Sequence, residues 1–339
     1  MSTPWNRKRS KLPAHIPTMI SSEEQRYLYW LTRTHWQDVG HVVEMGPWLG
    51  GSSYCLLEGM QGGNSHGLHV FDNFVWREFM GGRGGPELAD GESFESHFRM
   101  NLAPHADRLT VHNAWLPDEE AHDDPELAAI REPIPADAKM VAWQADEPVE
   151  ILFVDGAKSW RGLTTLLATF VDALIPDRSL LVFQDYKYWG EYWVAAITEM
   201  LSDTLTFEHQ TRENTVTFRV REGFDRARIE SLRSSEECAA DELGQLLESA
   251  GRRIGGHGSA TDQMIVELTK VRMLIHKNDR QRAVETFRDI ESRWPLLGNG
   301  YNLEAARRWL QRTSGAALVP AVRSKTRAAT DRILKPLRR

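Results

Sequence analysis

The chain has 339 residues, 41% hydrophobic and 26% charged, with a formal net charge of −7. That balance belongs to a globular protein with a sizeable core, with room for one large unit and one small one. Two cysteines, Cys55 and Cys238, are too few for a disulfide framework or a cysteine-rich zinc site. No apolar run approaches the roughly 20 residues of a membrane span. The basic start, Met1 to Lys11, has no apolar stretch behind it, so no secretory signal and a cytoplasmic location are expected. Charge is unevenly spread. From Arg226 onward there are 22 basic and 14 acidic residues, or +8, which leaves −15 on the first 225. The acidic front argues against nucleic acid as a partner. The last stretch, Arg323 to Arg339, holds seven basic residues and one acid, Asp331. It could touch a membrane surface through anionic lipid, although a solvated terminal helix is the plainer reading.

In chain order, residues 1–18 contain Pro4, Pro13 and Pro17 and read as an irregular arm. Ser21, Ser22, Glu23 and Glu24 then mark a helix start, with Tyr27, Leu28, Leu31 and Trp36 on its apolar side. Short apolar runs at 41–44, 67–72, 109–112, 150–155 and 179–183 predict buried strands. Helices are expected at 53–60, 92–102, 162–174 and 191–201, and a hairpin over 205–220 split at 212–214. Residues 117–150 read as an acidic, proline-rich insertion with a helix around Pro125–Arg131 and a small strand at Met140–Trp143. The glycine-rich stretch Gly81 to Pro86 is a loop that could close over a ligand. Beyond Asp225 the spacing turns helical: 227–251, broken by Gly255, Gly256 and Gly258, then 261–277, 280–293 and 302–312. Alternating strands and helices predict an α/β fold with a Rossmann-like, mainly parallel sheet, a terminal antiparallel hairpin and a C-terminal helical appendage. The expected units are an N-terminal arm and helix (1–40), the sheet domain (41–225), the appendage (226–314) and a basic tail (315–339). The appendage is a natural surface for homo-oligomers.

The most informative segment is Glu44-Met45-Gly46-Pro47-Trp48-Leu49-Gly50-Gly51-Ser52. Glycines after a strand let the chain turn tightly and let a ligand approach the backbone. The following helix offers unpaired N–H groups. The spacing G-x-x-x-G-G is not the G-x-G-x-x-G of a dinucleotide site. An acid two residues before the first glycine suits a cationic or zwitterionic ligand better than a pyrophosphate. Asp72, closing the second strand, could accept both hydroxyls of a ribose. Together these describe an adenosine-type site without phosphates, which S-adenosyl-L-methionine fits.

The chain resembles class I S-adenosylmethionine-dependent methyltransferases and, within them, the macrocin O-methyltransferase family. The matching segments are Thr18-Met19-Ile20-Ser21, the Glu44–Ser52 turn, Phe71-Asp72-Asn73-Phe74, Phe98–Leu102, Val154-Asp155-Gly156 and Phe183-Gln184-Asp185-Tyr186. They cover about 18–220, and nothing after 225 belongs to the pattern. The resemblance implies O-methylation of a hydroxyl on a sugar or glycosylated natural product. It implies that Glu44, Gly46, Gly50, Gly51 and Ser52 line the methionine end, with Asp72 at the ribose. Trp115 could flank the adenine or be core.

Asp155 and Asp185 end adjacent strands on this reading, and two carboxylates suit a hard ion. The resemblance implies Mg²⁺, held by Asp155 and Asp185 with Gln184 as a neutral ligand, lowering the pKa of an acceptor hydroxyl. The chain departs from the family in having Ala157 and Gln184 where further acids are usual. Asp155-Gly156-Ala157-Lys158 also resembles the D-x-x-K of catechol-type O-methyltransferases, which implies Lys158 as the base beside Asp155. His97 and His112 are weaker base candidates. Two alternatives stand beside this reading. One is a metal-independent methyltransferase acting on another nucleophile. The other is a non-catalytic binding or scaffold protein on a degenerate methyltransferase fold.

Overall fold

The computed structural model describes residues 3–6, 12–60, 62, 65–82, 84–116, 134–157, 159–294 and 300–314. The helix expected around Pro125–Arg131, Lys158, Arg83 of the glycine-rich loop and the basic tail lie outside the described residues.

The apolar runs form a seven-stranded sheet. Its strands are β1 (His41–Met45), β2 (Leu68–Asp72), β3 (Leu109–Asn113), β4 (Val149–Val154), β5 (Leu180–Phe183), β6 (Leu205–Gln210) and β7 (Val216–Val220). The order is β3-β2-β1-β4-β5-β7-β6. All neighbours are parallel except β7, which runs antiparallel between β5 and β6. This is the expected Rossmann-like sheet with its terminal hairpin, and the chain order reverses at β1 and β4. β4 is buried at every position, as a central strand covered on both faces must be. Side chains alternate between the faces. Val42, Leu68, Val70, Ile151, Phe153 and Val182 pack under α1 (Ser22–His35), α2 (Gly51–Gly59) and α3 (Glu95–Asn101). Val43, Phe71, Leu152, Leu181 and Phe218 face the other way, toward α4 (Trp160–Phe170) and α5 (Tyr192–Met200).

Ser21 caps α1 through a capping box with Glu24, and Tyr27, Leu28 and Leu31 are buried as their spacing predicts. Burial of each such side chain stabilises by about 1.5–3 kcal/mol. α1 and α2 meet at Gly59, where a Cβ would collide with Thr32, whose Oγ1 donates to Leu56 O at 2.9 Å.

α3 begins at Glu95, later than expected, because Val75 pairs with Ser93 and Phe94 packs on Phe74, holding 92–94 out of helix. The strand expected at 140–143 reduces to one bridge between Met140 and Trp115. The long helix expected from 227 is two: α6 (Arg226–Glu230), capped by Asp225, and α7 (Ala240–Gly255). α8 (Ala260–His276), α9 (Arg280–Arg293) and α10 (Gly300–Ser314) complete the helical region. The apolar core runs without a break from the sheet through α5 into α7, α8, α9 and α10. No described helix is long and apolar enough to cross a membrane.

Candidate active site

Strands β1, β2, β4 and β5 deliver their C-terminal ends to one edge, and the turns that follow are tied together. Gly46 N–H donates to Phe71 O, Asp155 N–H to Met45 O and Gln184 N–H to Val154 O, each at 3.0 Å. Such an edge, beside the reversal of strand order, is where open α/β sheets bind ligands.

The turn after β1 needs its glycines. Gly46 and Gly50 have φ of +80° and +93°, where any side chain is strained. A Cβ on Gly46 would also stand 3.1 Å from the Asp155 carbonyl. Trp48 lies between them at φ +44°, a conformation costly for a bulky residue. Its Nε1–H is buried and has no partner among the described residues. Gly50 opens α2 without a side-chain cap, which leaves first-turn N–H groups for a ligand. A Cβ on Gly51 would stand 2.7 Å from Thr18 Cβ, so the segment before α1 lies directly against the turn.

Glu44 is fully buried. Ser52 Oγ donates to one of its carboxylate oxygens, and Ser53 Oγ to the other at 2.5 Å. Burial pushes its pKa up to about 7 against these two bonds, and nearby Asp72 adds a further upward push. The carboxylate is thus turned toward the start of α2, where both of its oxygens accept from serine hydroxyls. Asp72 is partly exposed as a residue, with its carboxyl accepting from Phe74 N–H at 2.7 Å. Burial pushes this pKa too up to about 7. A ligand bringing hydroxyls or a cation would restore what these acids lack. An orphaned indole N–H, an uncapped helix start and an acid poised near neutrality fit an adenosine-bearing amino acid.

Trp115 follows β3 and is tied to segment 139–141 by two backbone hydrogen bonds, Trp115 N–H to Lys139 O at 2.8 Å and Val141 N–H to Trp115 O at 2.9 Å.

One strand across, Asp155 and Asp185 line a single pocket, as their strand ends predicted, with Ala157, Phe183 and Val194. Glu191 joins them there, a third acid whose sequence context marks only a helix start. Its signal was its place, in the turn beyond β5 and just ahead of α5. Gln184 is buried and does not line this pocket. Among the described residues no group of three or more His, Cys, Asp or Glu is arranged to hold a metal ion. The ligand set implied by the resemblance is therefore not assembled here, and no step is derived through Mg²⁺.

The loop bearing Asp185 and Glu191 is held from afar. Buried Lys187 donates through Nζ to Asp262 Oδ1 of α8 at 2.7 Å and to Thr211 O at 2.6 Å. Burial lowers its pKa, against the pull of Asp262. Trp189 N–H reaches Asn302 Oδ1 of α10 at 3.5 Å, and Tyr192 Oη meets His276 Nδ1 at 2.6 Å.

No known protein family matches the chain by sequence, nor does any curated protein. Among solved structures, the chain is similar to a methyltransferase of Podospora anserina bound to S-adenosylhomocysteine. Identity there is 12%, over 60% of this chain and 80% of the other, with a TM-score of 0.38. It is similar to the O-methyltransferase TomG of Streptomyces achromogenes, involved in tomaymycin synthesis and in complex with S-adenosylmethionine. The identity is 15%, over 64% and 92% of the two chains, and the TM-score 0.40. A TDP-rhamnose 3′-O-methyltransferase of calicheamicin biosynthesis gives 11% identity over 58% and 76%, with a TM-score of 0.37. These likenesses are distant.

Proposed function

We propose that the chain is an S-adenosylmethionine-dependent methyltransferase of the macrocin type, acting on a hydroxyl of a sugar or glycosylated natural product. The observation that supports it best is a juxtaposition at one sheet edge. A glycine turn with an uncapped helix start and the partly exposed Asp72 lie at the same edge as a pocket lined by Asp155, Asp185 and Glu191.

On this reading the backbone of the Gly46–Gly51 turn takes the amino-acid end of the cofactor. The two oxygens of Asp72 take the ribose hydroxyls, and Trp115 flanks the base. Glu44 keeps the turn in shape through Ser52 and Ser53. Bound S-adenosylmethionine supplies a methyl group on a sulfonium for in-line displacement. The chain's share is position and charge. Asp155 and Asp185 orient the acceptor hydroxyl, and an acid of the pocket or Lys158 takes its proton. Ala157 and buried Gln184 favour a reaction that leaves proton removal to the protein.

Calorimetric titration with S-adenosylhomocysteine, with and without Mg²⁺, tests the reading. Micromolar binding is expected. A folded sample that binds nothing under either condition would overturn it in favour of a scaffold protein. Binding that needs Mg²⁺ would show an ion set completed by the ligand.

A further inference from the structure

Away from the site, four histidines gather on one side of the sheet near its β3 edge. His41 opens β1, His69 lies in β2 and His112 in β3. The His41 and His69 rings are 4.4 Å apart, and His66 stands 4.8 Å from His41. His69 Nδ1 and His112 Nε2 are 3.1 Å apart, and the His112 ring stacks on Phe71 at 4.2 Å. Segment 134–148 leans on this row. Trp143 stands edge-on to His69 at 4.9 Å and to His41 at 5.8 Å. Its Nε1–H donates to Glu147 O at 2.7 Å. The same segment holds Trp115 through Lys139 O and Val141 N–H.

We propose that this histidine row is an acid-sensitive latch, which seats segment 134–148 when neutral and unseats it, loosening Trp115, when protonated. The part that concerns Trp115 and the cofactor rests on the function proposed above.

The geometry sets the sign. The His69–His112 contact needs one bare nitrogen. A second proton on the pair turns two N–H groups against each other, with the His41 ring alongside. Asp38, which meets His66 Nδ1 at 3.1 Å, and Glu147 favour a proton on His41, whereas His66 opposes one. Lys139 opposes one on His112, and the neighbouring rings oppose one on His69. Burial outweighs the carboxylates. It holds His41 and His112 below the usual histidine value and His69 at about 3. The seated form therefore binds fewer protons than the open one. Its advantage is full above the ordinary histidine pKa of about 6.5 and is lost as pH falls below it. Each histidine that seating keeps neutral raises the opening equilibrium about tenfold between pH 7.5 and 5.5.

Hydrogen exchange of the Val141 and Trp115 amides, corrected for the intrinsic pH dependence of exchange, reads this directly in the full-length protein. Opening should rise at least tenfold from pH 7.5 to 5.5. In a His69→Phe/His112→Phe variant, which keeps rings in place without titratable nitrogens, the rise should shrink by at least tenfold. Opening that ignores pH, or a rise as large in the variant as in the wild type, would overturn the latch. A second variant, His41→Phe, gives the same test should the double variant fold poorly. Affinity for S-adenosylhomocysteine should weaken in step with opening. Opening without loss of affinity would overturn the coupling through Trp115 alone. No binding at any pH would overturn the cofactor reading and leave exchange to decide the latch.

Discussion

The two halves of the candidate site are built in opposite ways. The glycine turn and Asp72 are assembled from short spans of chain. Glu44 is satisfied by Ser52 and Ser53, eight and nine residues on, and Asp72 by Phe74. The acid pocket borrows its frame. The loop carrying Asp185 and Glu191 is pinned by Thr211, Asp262 and Asn302, and the start of α5 beside it by His276. One half is a local backbone device. The other exists only once distant helices have docked.

Substitutions can break or sharpen that contrast. The largest effect is expected at Asp155→Asn, which should lower turnover by about 10²–10⁴-fold, the usual share of a positioned acid or base, while leaving circular dichroism and S-adenosylhomocysteine affinity unchanged. Activity at the original level would remove Asp155 from the chemistry. Next is the borrowed frame. Lys187→Met strands the Asp262 charge in the interior and should cost about 3–5 kcal/mol in chemical denaturation. The paired change Lys187→Met/Asp262→Leu should recover most of it. If both variants were equally destabilised, the pair would not be the pin described here.

On the local side, Asp72→Ala should weaken S-adenosylhomocysteine binding by a hundredfold or more in calorimetry, about 2.7 kcal/mol. Unchanged affinity would break the ribose assignment. The smallest effect concerns pH. Glu44 has a folded pKa of about 7 against an ordinary 4.5. Its stabilising share is therefore full below 4.5 and is lost as pH rises toward 7, by at most about 1.4 kcal/mol per pH unit. Glu44→Gln should fall in melting temperature less steeply than the wild type over that interval. Parallel curves would mean that Glu44 is already ionised in the folded protein.

What could be read from the sequence follows the same division. All seven strands were legible: β4 and β5, buried on both faces, leave short apolar runs closed by turns, and the half-exposed β3 and β6 still show short apolar stretches between turn residues. The Gly46–Gly51 turn was legible because left-handed backbone selects glycine. Asp155 and Asp185 were brought together because they end neighbouring strands. Glu191 was missed because its place depends on how loop 184–191 is folded, and that depends on contacts more than 70 residues away, such as Lys187 with Asp262. Helix limits slipped where packing overrode local preference, as where Phe94 is drawn onto Phe74 and delays α3. The break after Glu230 was illegible because apolar spacing continued through it.

The unbroken core between sheet and C-terminal helices has a practical consequence for anyone wishing to shorten the protein. A fragment ending before Arg226 would strip the cover from α5, which is buried at nearly every position. It would expose the side of α5 that packs on α7 and α8. A bare apolar patch of that kind favours self-association. Trimming to the sheet domain should therefore yield aggregates rather than a minimal fold, and engineering for size has to begin by redesigning that face.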